Sequence, residues 1–149
     1  MMRERRAARV LLFNPAGEIL LVRFAVPQND GSVFAFWAAP GGEMEGDEEP
    51  AATAMREIRE ELGLELAMEG PIRVDRNSFV HRGAMVDNTD FYFRAACERD
   101  APRLIGVTAE EIAIMKEIRW WSGEQLEGTE EKVFPLDLRR WIDALQTKR

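Results

Sequence analysis

The stretch Gly42-Glu-Met-Glu-Gly-Asp-Glu48, followed by Arg56-Glu57-Ile58-Arg59-Glu60-Glu61-Leu62-Gly63-Leu64, carries the densest information in the chain. From Asp47 to Leu62 the apolar residues Ala51, Met55, Ile58 and Leu62 recur at spacings of three and four, which predicts an amphipathic helix with one apolar stripe. Asp47 is placed to cap its start, and Glu48 and Glu49 sit where the helix dipole favours anions. Pro50 is tolerated in a first turn, and Gly63 supplies a C-terminal stop. At roughly 100° per residue, Glu57, Glu60 and Glu61 fall on a common face while Met55, Ile58 and Leu62 point almost oppositely. One face is expected to pack, and the other to concentrate negative charge.

Three carboxylates so close repel one another and destabilise a helix unless something neutralises them. A divalent cation does so best. Oxygen ligands without a partnering His or Cys select a hard ion, so Mg²⁺ is expected, with Mn²⁺ as a substitute, and not zinc. Magnesium held by few carboxylates keeps open positions that substrate phosphate oxygens fill, which points to phosphoryl chemistry. The Pro40-Gly41-Gly42 turn lets bare backbone approach the ion, and the Gly42 carbonyl is a candidate extra ligand.

Upstream, the apolar runs Ala8 to Phe13 and Glu18 to Phe24 flank Asn14-Pro15-Ala16-Gly17, which reads as a β-hairpin. After an irregular loop over Val26 to Ser32, Val33 to Ala39 reads as a strand leading into the glycine turn. Downstream, strand-like runs at Ile72 to Val80 and Asp90 to Cys97 are expected to pair across a polar loop around Arg82 to Asn88. Ile118 to Trp121 reads as a short buried strand, Ser122 with Gln125 as a capping box, and Leu138, Trp141, Ile142 and Leu145 as a closing amphipathic helix.

The chain has 149 residues, 46% of them hydrophobic and 32% charged, the balance of one soluble folded domain over residues 1–149. A net charge of -7 disfavours a broad nucleic-acid surface and suits cation binding, so no nucleic-acid partner is expected. One cysteine, Cys97, makes no internal disulfide, and one histidine, His81, makes no His-rich metal site. The run Val10 to Phe13 is too short for a signal-peptide core, and no stretch reaches transmembrane length. The reading is therefore a cytoplasmic protein with no membrane partner, and the scattered apolar residues leave its oligomeric state undecided.

Residues 42 to 64 resemble the complete box of the Nudix hydrolase (MutT-like) superfamily, Gly-x5-Glu-x7-Arg-Glu-aliphatic-x-Glu-Glu-x-Gly-aliphatic, with every fixed position matched. Weaker similarity extends to Trp37 before Pro-Gly-Gly and to Arg119-Trp120-Trp121-Ser122. The resemblance implies an α/β (α+β) fold, the Nudix α/β/α sandwich with a central mixed sheet. It implies that Glu57, Glu60 and Glu61 bind the metal, with Arg56 and Glu48 as the ionic scaffold that holds them. It also implies hydrolysis of a small nucleotide-like diphosphate, a nucleoside diphosphate linked to a group X, by water attack on phosphorus. Substrate choice lies in loops outside the box. Marks for ADP-ribose, dinucleoside polyphosphate and coenzyme A hydrolysers are missing, which leaves a (deoxy)nucleoside triphosphate as the default. A non-catalytic nucleotide-binding module is the alternative, although such modules usually lose box glutamates, and an RNA-end hydrolase wants a basic track that the sequence does not offer.

A further acid outside the box often serves as base in this family, and Glu110 and Glu111 are the candidates here, Glu111 also fitting a capping box with Thr108. Glu45 matches a common acidic position. Arg23 and Arg82 are the arginines best placed to bind substrate phosphate. Phe36, Trp37, Trp120 and Trp121 read as core before they read as base-stacking residues, and His81 and Cys97 carry no sign of catalysis.

Overall fold

The computed structural model describes residues 3–81, 83–98 and 115–147. The two aliphatic runs become β1 (Arg3–Phe13) and β2 (Ile19–Pro27). Val10 to Phe13 and Ile19 to Val22 are buried without alternation, because these strands are covered on both faces. The Asn14 side chain organises the turn between them, accepting from Glu18 N at 2.8 Å and donating to Glu18 Oε1 at 2.9 Å.

The predicted hairpin is paired only at its closed end. Phe13 stands opposite Ile19, and beyond that point the two strands splay apart. The gap is filled by one stretch of chain in two pieces. β3 (Val33–Ala38) pairs antiparallel with β2, and β4 (Gly41–Glu43) pairs antiparallel with β1 through Ala7↔Glu43, Ala8↔Gly42 and Arg9↔Gly41. Val10 N donates to Pro40 O at 2.9 Å where the chain changes partner. Gly41 makes the change at φ 152, and a Cβ there would run into the carbonyl oxygen of Ala8. Only glycine fits this crossing.

Beyond β4 comes α1 (Pro50–Leu62), then β5 (Glu69–His81), β6 (Ala84–Ala96), β7 (Met115–Trp121), α2 (Gly123–Gly128), β8 (Val133–Phe134) and α3 (Leu138–Thr147). The described strands form a mixed sheet in the order β5-β6-β1-β2-β3-β8, with β4 on β1 and β7 on β2. β6 lies parallel to β1 from Arg3↔Val86 to Phe13↔Ala96. The hairpin β5–β6 is longer than the sequence suggested, since residues 84–88 continue the strand instead of forming a loop. Their polarity is deceptive: Val86, Asn88 and Asp90 alternate inward, Asn88 accepting from Arg5 Nη1 at 2.8 Å and donating to Asp90 Oδ2 at 3.0 Å. Ser122 and Gln125 form the expected capping box at the start of α2.

Two cores lie on opposite faces of the sheet. α1 packs Ala54, Ile58 and Leu62 against Ala8, Val10, Leu12, Leu20 and Phe93. On the other face Leu126 of α2 and Leu138 and Ile142 of α3 meet Leu11, Ile19, Leu21, Trp37 and Trp121. Helices on both faces of a mixed sheet are the α/β/α sandwich. The Arg73 guanidinium clamps α3, donating to both Asp137 oxygens at 2.9 and 3.0 Å and lying 4.5 Å over the Trp141 ring. Among the described residues no helix is long and apolar enough to cross a membrane.

Three details of α1 differ from the expectation. It starts at Pro50 with Glu49 as its cap residue, not at Asp47, because the fixed φ of proline suits the first helical position. Its buried arc is Thr53, Ala54, Ile58, Glu61 and Leu62. Met55 is 47% exposed, so the stripe that packs runs through Ala54, Ile58 and Leu62 at successive fours. Since Ile58 is fully buried against β1 and β6, Ile58→Ala should lower the unfolding free energy by about 2–4 kcal/mol. Chemical denaturation followed by circular dichroism measures it, and a loss below about 1 kcal/mol would contradict this packing.

Candidate functional site

α1 sets one guanidinium among acids. Arg56, with a side chain only 12% exposed, gives Nε to Glu48 Oε2 at 2.8 Å and Nη2 to Glu48 Oε1 at 2.9 Å, a two-pronged pair. Its Nη1 donates to Glu57 Oε1 at 2.9 Å and Glu60 Oε2 at 3.2 Å, and stands 3.6 Å from Glu45 Oε1. Nη2 also donates to the Glu43 carbonyl at 3.2 Å, which fastens the helix to β4. One positive charge faces the carboxylates of Glu45, Glu48, Glu57 and Glu60, so the cluster stays strongly negative.

Glu48 is held from several sides. Its Oε1 accepts from Thr53 Oγ1 at 2.7 Å and from the backbone N–H of Glu45 at 3.2 Å. Arg56 above all, and then Thr53 and the Glu45 N–H, push its carboxyl down from 4.5 to about 2 against the opposing effect of burial. The same contact raises the Arg56 guanidinium further above its usual range. Thr53, fully buried, escaped the sequence reading; a polar residue inside the packing arc was the only signal for it.

Gly42 is the second fixed point. A Cβ at this position would fall 2.5 Å from both Cδ and Oε1 of Glu57, so the Glu57 carboxylate rests directly on bare glycine backbone. Arg56 uses Oε1 of Glu57 and Oε2 of Glu60, which leaves Glu57 Oε2 and Glu60 Oε1 outside its grip. Glu60 is half-exposed, whereas Glu61 is 3% exposed and sits in the buried arc toward the sheet. The structure thus gathers Gly42, Glu48, Arg56, Glu57 and Glu60, and places Glu61 on the inner side of the same helix.

Other sequence candidates lie elsewhere. Arg23 follows Ile19 and Leu21 on the face of β2 away from α1, opposite Trp37 of β3 and Glu117 of β7, and is not brought to the acidic cluster. Arg82, Glu110 and Glu111 lie outside the described residues, as does the side chain of His81. Trp37 and Trp121 are buried core residues, each with the Arg119 guanidinium over its ring. Phe36 instead belongs to a group not foreseen, with Phe24 stacked on it at 5.3 Å and Phe34 and Phe134 at 5.2 and 5.5 Å. The sequence signal was alternation, since Phe34 and Phe36 share one face of β3.

No three acidic, histidine or cysteine side chains converge on a common metal centre among the described residues. The donors nevertheless suit a hard divalent ion: all are oxygens, their charge outweighs Arg56, and Gly42 leaves the approach to Glu57 bare. Because the Glu48 carboxyl is lowered on folding, its contribution to stability is present above about 4.5 and is lost as pH falls through about 2. Glu48→Gln should therefore cost on the order of 2 kcal/mol at neutral pH, with the gap to wild type closing as the pH approaches the folded value. Urea unfolding across that range measures it, and a gap independent of pH would contradict the ion pair.

Comparison with known proteins agrees with this geometry. The NUDIX domain model matches residues 3–145. An RNA pyrophosphohydrolase of Acidiphilium cryptum is 44% identical over 52 residues, covering 35% of this chain and 30% of the relative. The chain spans less than half the length of the curated relatives it matches. A MutT protein from Methanosarcina mazei superposes with TM-score 0.66 at 21% identity, over 99% of this chain and 96% of its own. The E. coli dihydroneopterin triphosphate pyrophosphohydrolase superposes with TM-score 0.66 at 16% identity, over the full length of both chains. The match of the family model over nearly the whole sequence, on a fold and box that agree with it, places this chain in the Nudix family.

Proposed function

We propose that this chain is a divalent-cation-dependent pyrophosphohydrolase, with Mg²⁺ as its ion and Mn²⁺ as a substitute, acting on a small nucleoside diphosphate-X substrate in the cytoplasm. The observation that carries this reading is the acidic cluster around Arg56, whose carboxylates outnumber the one guanidinium and would attract a cation. The curated relatives support it by name, both being RNA pyrophosphohydrolases.

Glu57 and Glu60 would hold the ion, with Glu61 and the Gly42 carbonyl completing the set. When bound, such an ion neutralises phosphate charge and lowers the pKa of a water. Arg56 and Glu48 keep the glutamates in place. Glu60, the most exposed of the three, is suited to take a proton from the attacking water, a role for which Glu111 is the candidate outside the box. Attack on phosphorus forms one P–O bond and breaks the P–O bond of the anhydride bridge. A nucleotide and a phosphorylated fragment leave, and nothing covalent forms on the protein. Arg82 remains a proposed phosphate contact, whereas Arg23 lies on the other face of the sheet, and the Phe24, Phe34, Phe36 and Phe134 group offers an apolar surface for the rest of the substrate.

A (deoxy)nucleoside triphosphate is the first substrate to test. A second reading, in which the triphosphate end of an RNA is cleaved, is favoured by the names of the relatives. Net charge opposes it. A panel of nucleoside triphosphates, ADP-ribose, nucleotide sugars, dinucleoside polyphosphates and 5′-triphosphorylated RNA, assayed with Mg²⁺ and with chelator, separates these readings. Glu60→Gln and Glu61→Gln should each lower the metal-dependent rate by roughly 100-fold or more while the fold persists. Near-normal turnover in both variants overturns the site, and tight nucleotide binding without turnover identifies a binding module instead.

A further inference from the structure

Among the described residues β5 is a sheet edge, paired with β6 alone. Its pairing runs without a break from Arg73↔Tyr92 to His81↔Ala84, and no described strand pairs with the outer side of this long edge. Half of the exposed large apolar residues of the described chain lie on this hairpin: Val74 at 46%, Phe79 at 40%, Val80 at 66% and Met85 at 43%. Unprotected edges of this kind template pairing with another strand.

The register shows which strand fits. Only residues 82 and 83 separate the paired His81 and Ala84. A two-residue hairpin closes on a hydrogen-bonded pair, so His81, Phe79, Asn77 and Asp75 direct their backbone groups inward to β6. Val80, Ser78, Arg76 and Val74 therefore direct theirs outward. Val74 and Val80 lie equally far on either side of Asn77, on one face of the strand.

We infer that β5 pairs antiparallel with β5 of a second copy about a twofold axis at Asn77. Val74 then stands opposite Val80 of the second copy, Arg76 opposite Ser78, and Asp75 opposite Phe79. All four outward-directed residues fall in hydrogen-bonded pairs, and no two acids or two arginines meet directly. Met85, beside Val80 in β6, extends the apolar contact on that face. The contact is isologous, so it closes as a dimer. Sliding the register by one residue puts the outward groups out of phase and separates the valines.

Light scattering coupled to size exclusion, over a range of concentrations, should give twice the chain mass. Val80→Lys, at a site already mostly exposed, should keep the fold by circular dichroism and weaken association by roughly 100-fold, because a charge must lie against Val74 of the second copy. Asn77 faces its own copy in a non-hydrogen-bonded pair with Cα atoms about 4.5 Å apart, within disulfide reach. Asn77→Cys should therefore cross-link to itself under mild oxidation, and Arg76→Cys, which faces Ser78, should not. A monomer at every concentration overturns the inference, as does a dimer that tolerates Val80→Lys while Asn77→Cys stays uncross-linked.

Discussion

The contact on which the rest of the site depends is the two-pronged pair between Arg56 and Glu48. It joins α1 to the loop before it, and the remaining Arg56 nitrogen draws Glu57 and Glu60 together. A buried guanidinium tolerates its desolvation only when its donors are met, and here they are met by the acids that the proposed chemistry uses. Thr53 fixes the far side of Glu48, so neither partner is free to swing. The excess of carboxylate charge over this single cation is the ground for proposing that the cluster takes another.

That cluster stands where it does because of the wedge between β1 and β2. Residues 33–43 leave β2 and join β1 through Pro40 and Gly41, and the crossing delivers Gly42 beneath α1. The close approach of Glu57 to bare backbone follows from that path. On the same segment, Phe34 and Phe36 of β3 lie only a few residues upstream of the glycines of β4. Sheet topology and site thus share one segment: a side chain at Gly41 would strain the fold, and one at Gly42 would displace Glu57.

Much of this was legible in the sequence because it is local. Box spacing, the proline and glycine at the ends of α1, the Asn14 turn and the Ser122 capping box all act within a few residues. The helical wheel misjudged Met55 and Glu61, since it assumed that burial follows hydrophobicity alone. α1 packs on β1 and β4, with Glu61 on the side that is buried and Met55 on the side left in solvent. Residues 84–88 read as a loop for a similar reason. Asn88 and Asp90 are polar yet buried: Arg5 of β1 donates to Asn88, and the charge of Arg9 of β1 stands 3.6 Å from Asp90, neighbours that only the parallel pairing of β1 with β6 supplies. Pairings between strands so distant in sequence leave no periodic trace, and neither does the splaying of a hairpin.

The central claim is that carboxylates gathered by Arg56 await a divalent cation. Titrating Mg²⁺ into the isotopically labelled protein, and following backbone amides together with the Arg56 Nε–H, tests it most directly. The account predicts saturable shifts concentrated at Gly42, Arg56, Glu57 and Glu60, and their loss in Glu60→Gln. Shifts that never saturate, or that saturate at residues remote from this cluster, would contradict it.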